Sequence, residues 1–310
     1  MPKPPDFIDI TDPRDPRLDV YRNQRDAWLR AAHNPEANAQ ANPQANPPAD
    51  PLPGLFMAEG ELVIHHLVRS RYRPASVFCT PARGESMAAD LARLPAGTPI
   101  YRAEPAVMGE VCGFNIHRGV LAAAHRSAAV ADPTRPTSTL DRLSERCRAL
   151  VVLEDLSNHD NVGSVFRSAA ALAGLHDETE PQPNGVGVVL SPRCCDPLYR
   201  KAIRVSMGLA LRVPFVHATD WPAPLDRLRE RGWSLIALAG GGEATLADLG
   251  PVAKPALLLG AEGPGLSGAA LGSAATRARI PMHPGVDSLN VAVAGAIALA
   301  HLVPPAPPSA

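Results

Sequence analysis

The sequence contains little lysine and few aromatic residues, and its charges nearly cancel. Phe, Trp and Tyr make up 4% of the 310 residues, and the formal net charge is −1. The overall charge therefore gives no indication of a nucleic-acid or membrane partner. Only three of the 30 basic residues are lysine, so 27 are arginine, whose planar guanidinium suits phosphate. A GC-rich coding bias also explains this excess, and the abundance of Ala and Pro favours that explanation.

Metal-ligand spacings and long apolar runs are also missing. The five cysteines form an odd set without such a spacing, and no signal peptide is recognisable at the N-terminus. We therefore expect reduced thiols in a cytoplasmic protein that binds no metal. No apolar run reaches the roughly 18 residues that a membrane span needs. The nearest is VAVAGAIALAHLV, residues 291–303, so no membrane partner is expected.

Composition divides the chain into four parts, and its length agrees with two domains. Residues 1–54 combine a short predicted helix, 18–30, with the insert HNPEANAQANPQANPPADPLP, whose composition cannot form a core. Residues 55–130 have the pattern of a small α/β domain, and 131–148 are predicted as a linker. Residues 149–310 are expected to form the larger domain.

Apolar strands alternate with helices along the larger domain. The small domain has predicted helices at 56–70 and 84–94 and strands at 76–80, 98–102 and 119–126. The larger domain has predicted strands at 149–155, 185–191, 233–239, 256–262 and 277–282, and helices near 161–173, 196–206, 222–231 and 290–302. This pattern predicts an α/β fold with a parallel sheet flanked by helices. Ligands of such sheets bind beyond the carboxyl ends of the strands, so a site is expected in the loops there.

The first of these loops leads into NVGSVFRSAAALAG, residues 161–174. Apolar residues recur there at helical spacing and predict a buried helix face from Val162 to Ala170. Arg167 falls off that face, near the start of the helix. Asn161 is expected at or near the N-cap, where its side chain can satisfy free backbone N–H groups. An ordinary solvated arginine is the alternative interpretation of Arg167.

The second loop, LLLGAEGPGLSG at 257–268, contains a literal G-x-G-x-x-G after an apolar strand. A dinucleotide-binding motif also needs an acidic residue about twenty positions later, at the end of the next strand. The next strand, RARIPM, has none, and we therefore reject a nicotinamide-dependent dehydrogenase. What remains is a Gly-rich turn that lets a ligand approach the backbone, with Glu262 in it. A plain turn with a surface glutamate is the alternative.

The third loop lies in IPMHPGVDSLNVAVAGAIALA, residues 280–300. A polar corner with Asp287, Ser288 and Asn290 opens a helix of small apolar residues, which allow close approach in a core or at a dimer contact. A plain N-cap at Asp287 or Ser288 is the alternative. Three polar corners in one parallel sheet favour a common site.

These segments, with CCDPLYRKAIRVSMGLALRVPF at 194–215, occur in the order found in one known family. The chain resembles the SpoU (TrmH-like) branch of the SPOUT superfamily, RNA ribose 2′-O-methyltransferases that use S-adenosylmethionine, over residues 55–303. The fragment FMAEGELVI resembles the start of the small RNA-binding domain that precedes the catalytic domain in many members. The chain departs from the family in the Asn/Pro insert and at Ala292, where members often have Ser.

The resemblance implies a fold and a cofactor site. Family members have a C-terminal trefoil knot that forms the cofactor pocket, are preceded by a ribosomal-protein-like substrate-binding domain, and form homodimers with the sites near the interface. S-adenosylmethionine is expected to rest against the backbone of small and apolar residues. The matching positions are Ala239, Gly240, Gly260, Ile280, Met282 and Leu289.

The resemblance also implies catalytic roles. We expect Arg167 to bind the phosphate next to the target ribose or to donate to the developing alkoxide. Since guanidinium is always protonated in proteins, Arg167 is not expected to be the base, which stays unassigned, with water and phosphate as candidates. Asn161 and Glu262 are expected to hold the loops. Ser288 with Asn290 is expected to contact the target ribose or to position Arg167.

Local charge is expected to supply the RNA contacts that the overall charge does not indicate. Residues 191–212 carry five basic side chains against Asp196, and 65–73 and 116–126 are also basic, although each patch taken singly is better explained as a solvated face. The few aromatic residues favour recognition of RNA shape and backbone over base stacking. The predicted RNA contacts are Arg69, Arg71, Arg73, Arg118, Arg200 and Arg204.

The sequence leaves the substrate open. The separate small domain favours rRNA, and tRNA is the alternative. A noncatalytic RNA-binding protein that retains the fold is a further alternative, against which the intact set of Arg167, Glu262, Ser288 and Asn290 speaks.

Overall fold

The computed structural model describes residues 5–22, 54–113, 118–126, 139–177 and 179–303. Up to residue 126 the strands are β1 (Phe7–Asp9), β2 (Leu55–Glu59), β3 (Pro74–Cys79), β4 (Ile100–Arg102) and β5 (Val120–His125). The helices are α1 (Glu61–Leu67), α2 (Pro81–Ser86), α3 (Ala88–Leu91) and α4 (Pro105–Cys112), and a 3₁₀ helix spans Pro16–Tyr21.

The other elements lie within residues 139–303. The strands are β6 (Ala149–Leu153), β7 (Val186–Leu190), β8 (Phe215–His217), β9 (Ser234–Leu238), β10 (Ala244–Thr245), β11 (Pro255–Leu259) and β12 (Thr276–Arg279). The helices are α5 (Leu140–Arg146), α6 (His159–Ala173), α7 (Arg200–Val205), α8 (Ala223–Glu230), α9 (Leu246–Leu249), α10 (Gly268–Ser273) and α11 (Val291–Leu302).

The chain forms two compact units, and the second is interrupted in sequence. The described residues of unit 1 lie within 5–126 and 196–212, and those of unit 2 within 139–195 and 213–303. Helix α7 therefore belongs to unit 1, although residues 149–310 were expected to form a single domain. Within the predicted linker, residues 140–146 form α5 of unit 2.

Unit 1 is built on a mixed five-stranded sheet in the order β1-β4-β3-β5-β2. Strand β4 pairs in parallel with β1 and β3, and β5 is antiparallel to β2 and β3. Tyr21, Phe78 and Tyr199 are buried in one apolar cluster, and the Tyr21 hydroxyl lies 2.7 Å from Ser76 Oγ. The N-terminal 3₁₀ helix is thereby anchored in the core of this unit.

Unit 2 is an α/β unit with a seven-stranded sheet in the order β10-β12-β9-β11-β6-β7-β8. Every neighbouring pair in this sheet is parallel. In β6, β7 and β11 all five residues are buried, which is expected of apolar strands covered on both faces. The prediction of a parallel sheet flanked by helices is confirmed, and the trefoil knot stays a prediction.

Some local predictions differ from the structure. The predicted helix over 56–70 is wrong in its first part, because Leu55–Glu59 is β2 and Gly60, with φ +98°, separates it from α1. A short apolar run does not distinguish a strand from a helix by its periodicity. The predicted helix over 84–94 is divided into α2 and α3, and the one over 196–206 begins only at Arg200. Most of the predicted helix 18–30, and the Asn/Pro insert, lie outside the described residues.

The five cysteines are buried thiols that form no disulfide bond. Burial raises the pKa of the Cys79, Cys112 and Cys147 thiols to about 12, so these groups stay protonated and poorly reactive at neutral pH. Across the described residues, no helix is long and apolar enough to cross a membrane.

Candidate active site

A cavity of about 640 Å³ lies where β9, β11 and β12 end. Its wall consists of the residues after each strand, the corner before α11 and the first turns of that helix. Ligand sites of parallel sheets are expected at this edge. All six residues predicted to contact the cofactor line this cavity: Ala239, Gly240, Gly260, Ile280, Met282 and Leu289.

The loop after β11 forms the largest part of the wall, with residues 260–266 all lining the cavity. Gly260 has no room for a side chain, because an added Cβ would lie 2.2 Å from the carbonyl carbon of Gly265. Gly263 and Gly265 have φ of +88° and +72°, which glycine adopts without strain. The Gly265 N–H donates to the Ala261 carbonyl at 3.0 Å and closes the turn. The glycines of this loop therefore allow backbone groups to line the cavity.

Three predicted site residues form a chain of hydrogen bonds. Asn161 Nδ2 donates to Glu262 Oε1 at 2.5 Å, and Asn290 Nδ2 donates to Asn161 Oδ1 at 2.9 Å. Asn161 is 5% exposed, and Glu262 and Asn290 line the cavity. This chain joins α6, the loop after β11 and the start of α11, which are distant in sequence.

The N-cap of α6 lies three residues before Asn161, which is predicted at or near that position. Asn158 caps α6, and its side chain accepts from the Asp160 N–H at 2.9 Å. Asn161 lies inside the first turn, so its amide is free to bridge the two loops. At the third corner, the N-cap of α11 is Asn290, which accepts from the Ala292 and Val293 N–H groups.

Helix α11 lies close to the strand that leads to the site. Added to Gly295, a Cβ would come within 2.7 Å of Leu259 Cδ1, so the small residues of α11 permit this approach. The helix also packs against α6. The corner that carries Ser288 and Asn290 is thus attached to two buried elements.

The cavity carries acidic but no basic side chains. Glu262 and Asp287 line it, and none of its lining residues is Lys, Arg or His. Ser288 also lines it, and both Ser288 and Asp287 are exposed. An arrangement of this kind favours a ligand with positive charge and many hydrogen-bonding groups.

Arg167 is exposed on α6, six residues after Asn161, and it is not among the residues that line the cavity. Six residues of helix correspond to a rise of about 9 Å. Neighbouring residues Val165, Phe166, Ala169 and Ala170 are buried, as the helical periodicity predicts. The structure therefore brings Asn161, Glu262, Ser288 and Asn290 to one place and leaves Arg167 exposed, outside the cavity lining.

Arg279, which the sequence did not single out, holds the loop after β9. Its Nη1 donates to the carbonyls of Gly242 and Glu243 at 2.5 and 3.1 Å. Gly242 also lies against the backbone of Ala278, at 2.5 Å for an added Cβ. These contacts support the wall at Ala239 and Gly240. An arginine at the end of a strand gives no sequence signal for this role.

The arginines predicted to contact RNA differ in their surroundings within unit 1. Arg73 and Arg118 are exposed, and Arg204 is half-buried. Arg69 donates to Asp90 at 2.7 Å, and the Arg71 guanidinium lies 5.1 Å from the Tyr72 ring centre.

Arg200 does not fit the predicted RNA-binding role. Its side chain is 6% exposed and donates to Glu59 Oε2 at 2.7 Å, so it forms a buried ion pair. Arg193, in the same stretch, pairs with Asp155, and its hydrogen bond holds the pKa of that carboxyl below the usual value. The pairing of Arg193 and Arg200 means that the stretch 191–212 carries less free charge than its sequence indicates.

Comparison with known proteins identifies the family. Residues 148–300 match the model of the SpoU rRNA Methylase family. An uncharacterised tRNA/rRNA methyltransferase of Mycobacterium bovis is 40% identical over 297 residues, which cover 94% of this chain and 90% of the relative. A relative from Mycobacterium tuberculosis with the same description has the same identity and coverage.

Solved structures share the fold. The AdoMet-bound rRNA methyltransferase from Sinorhizobium meliloti has a TM-score of 0.66 at 20% identity, covering 94% of this chain and 96% of its own. A structure described as an RNA 2′-O ribose methyltransferase has a TM-score of 0.64 at 21% identity, covering 94% and 97%. From the family model and the 40% identical relatives, the chain belongs to the SpoU family of RNA methyltransferases.

Proposed function

We propose that this protein transfers a methyl group from S-adenosylmethionine to a ribose 2′-hydroxyl of structured RNA in the cytoplasm, with rRNA as the preferred substrate. The observation that carries the proposal is the cavity at the ends of β9, β11 and β12. Two family positions, Glu262 and Asn290, line it, and a third, Asn161, is hydrogen-bonded to both.

The residues present fit S-adenosylmethionine. A volume of about 640 Å³ lies within the range of about 300–1,000 Å³ typical of small-molecule sites. Gly260 and Gly240 expose backbone groups, which suit recognition of an adenosine, and Ile280, Met282 and Leu289 add apolar contacts. Glu262 and Asp287 complement a cationic ligand. When bound, the sulfonium of this cofactor supplies the methyl group.

The protein's task is then to place the ribose hydroxyl and to stabilise its oxygen. Positioning of this kind contributes several kcal/mol to catalysis. Ser288 and Asn290, at the cavity edge, are the groups we assign to the ribose. Arg167 is exposed and available to a phosphate, which its planar fork binds through two hydrogen bonds. The general base remains unassigned among the side chains.

We propose a homodimer formed through the surface around α11. Four of the six exposed large apolar side chains in the described part of the chain lie between residues 286 and 297. They are Val286, Leu289, Val293 and Ile297, with exposures of 51, 39, 50 and 42%. Exposed apolar clusters mark interaction surfaces. Because Leu289 also lines the cavity, a partner on this surface would lie beside the site.

We assign RNA binding outside the cavity to the exposed arginines of unit 1, chiefly Arg73 and Arg118. The names of the 40% identical relatives include both tRNA and rRNA and so do not choose between the two substrates. The experiment below distinguishes them.

Mapping of 2′-O-methylated nucleotides tests the proposal. Total RNA from a strain that lacks the protein is compared with RNA from the same strain expressing it, and purified protein is then added with labelled cofactor. We expect one rRNA position to lose methylation in the deletion strain and to regain it in vitro. A restored tRNA position would support the tRNA alternative. Methylation of a base would overturn the ribose assignment, and cofactor binding without transfer to any RNA would favour a noncatalytic protein.

A further inference from the structure

Glu154 contacts both ends of the loop after β11, residues 260–266, which forms the largest part of the cavity wall. It directly follows β6 and is 3% exposed. Its backbone N–H donates to the carbonyl of Leu259, the last residue of β11, at 2.9 Å. Its carboxylate accepts from the N–H and the hydroxyl of Ser267 at 2.8 and 2.7 Å. Leu259 and Ser267 flank residues 260–266, so a single side chain and its own backbone hold the whole loop.

This loop needs external support. Three of its seven residues are glycine, and Gly263 and Gly265 adopt left-handed backbone angles. Glycine-rich segments lose much conformational entropy when they are ordered. Between its fixed ends the loop has one short backbone bridge, from Gly265 to Ala261. Its shape therefore depends on where Leu259 and Ser267 are held.

Trp221 shares the carboxylate with Ser267. Its Nε1 donates to Glu154 Oε1 at 2.6 Å. Trp221 also packs against the apolar cluster that contains Leu266, and Leu266 lines the cavity. A buried carboxylate is costly unless its oxygens are hydrogen-bonded, and these three donors satisfy it. The fluorescence of the Trp221 indole is therefore expected to change when the loop moves.

We propose that Glu154 is a positioning residue of the methyl-donor site, which sets cofactor affinity by fixing both ends of residues 260–266. The proposal rests on the proposed function in one respect, the binding of S-adenosylmethionine in the cavity. Glu154 itself is not placed in contact with the cofactor.

Glu154→Gln tests the proposal with little change of shape. The amide keeps the backbone bond to Leu259 but has a single acceptor oxygen. In either orientation its NH₂ group faces the N–H of Ser267 or of Trp221. We expect calorimetry to show a loss of about tenfold to a hundredfold in cofactor affinity, as for a buried donor left unpaired. Amide hydrogen exchange over 260–267 should become faster in the cofactor-free protein.

Trp221→Phe is the matched control, because it removes one donor from the same carboxylate and leaves both bonds to Ser267. We expect its cofactor affinity to stay within about threefold of the parent, since the loop anchor is intact. Exchange over 260–267 should stay unchanged. A merely structural role of Glu154 would lower the melting temperature of both variants without this split in affinity.

Fluorescence gives an independent signal. Trp28→Phe and Trp233→Phe leave Trp221 as the sole tryptophan, and Trp233 Nε1 has no hydrogen-bond partner to leave unpaired. We expect cofactor to change Trp221 emission in this background, and saturating cofactor to change it far less after Glu154→Gln.

Equal affinity and equal loop exchange in Glu154→Gln and the parent would overturn the proposal. Failure of the parent to bind the cofactor would instead overturn the proposed function. The exchange comparison would then decide alone whether Glu154 holds the loop.

Discussion

At the scale of single residues, polar side chains connect the loops and glycines form the surface between them. Asn161 illustrates the first role, since one amide donates to Glu262 and accepts from Asn290. Its side chain is free for this because Asn158 caps the helix instead. Gly260 illustrates the second, because the returning backbone of the loop occupies the space of a side chain.

Gly260→Ala is expected to weaken cofactor binding. The added Cβ would overlap the backbone at Gly265 and Leu266, 2.2 and 2.3 Å away, and no flexible side chain can give way. We expect a loss of at least roughly tenfold in affinity, in line with the cost of overpacking. Gly272→Ala in α10 is the control, since nothing lies within 4 Å of its Cβ. Calorimetry that shows equal affinities for both variants would contradict the assignment of this wall.

Arg167→Ala is expected to reduce methyl transfer and to leave cofactor binding nearly unchanged. The guanidinium is exposed and outside the cavity lining, so its contribution arises only once RNA is bound. Loss of one such donor lowers kcat by about 100-fold to 1,000-fold. The measurements are single-turnover methylation and cofactor calorimetry. Arg229→Ala, an exposed arginine paired with Asp226 on α8, controls for the loss of one positive charge. A large loss of cofactor affinity in Arg167→Ala would refute the assignment.

At the scale of elements, α11 has two functions on different faces. Ala292, Gly295 and Ala298 lie toward the interior, where Gly295 allows contact with Leu259 of β11. Val293 and Ile297, four residues apart, form an exposed apolar stripe on the same helix. Both faces are apolar, so the sequence predicts the helix well but does not distinguish the core face from an interaction face.

Ile297→Asp is expected to convert the proposed homodimer to a monomer. A carboxylate at the centre of an apolar contact would have to be desolvated without a partner. Leu62→Asp is the matched control, because Leu62 is an exposed apolar residue, 49% accessible, on α1 of unit 1. Sedimentation velocity should detect a dimer for the parent and for Leu62→Asp, and a monomer for Ile297→Asp. A dimer in all three proteins would exclude this face.

The sequence predicts elements best where period and burial agree. Strands β6, β7 and β9 lie within two residues of their predicted ends, because each is a nearly continuous apolar run between turns, whereas β11 ends three residues before its predicted end. The sequence predicts a helix where the structure has β2, because the run FMA is too short to show whether its apolar period is that of a strand or of a helix. Short elements such as β10 and α10 depend on tertiary contacts and gave no pattern. All six expected cofactor positions line one cavity, since three strands of one parallel sheet end there.

Other site residues were beyond the sequence for a physical reason. Glu154 and Arg279 act through hydrogen bonds to groups that are far away in the chain. None of these bonds has a characteristic spacing in the sequence. Arg200 is the opposite case, a predicted site residue that the structure removes from the site. Its position in a basic stretch predicts an exposed side chain, but the side chain is buried. Its partner Glu59 is 141 residues away in sequence, and only the folded chain brings the two together.

At the scale of the whole molecule, the interruption of unit 2 is the main departure from a simple arrangement of two domains. The chain leaves unit 2 after Cys195, contributes residues 196–212 to unit 1 and returns at Val213. In unit 1, Tyr199 is fully buried in the core cluster, and Arg200 is paired with Glu59. The sequence of unit 2 is therefore interrupted by a segment whose buried Tyr199 packs in the core of unit 1.

An isolated fragment of residues 139–303 is accordingly expected to aggregate. Its segment 196–212 would expose Tyr199, Ile203 and Leu211, which are at most 2% accessible in the full chain. Each loses about 1.5–3 kcal/mol of burial free energy when exposed. A second fragment with 196–212 replaced by a Gly/Ser linker of equal length is expected to remain monomeric or dimeric and to unfold cooperatively. Size-exclusion chromatography and thermal unfolding compare the two fragments. If the unmodified fragment elutes as a folded species with the melting temperature of the linker fragment, the segment does not depend on unit 1, and the division at residues 196 and 212 has no energetic meaning.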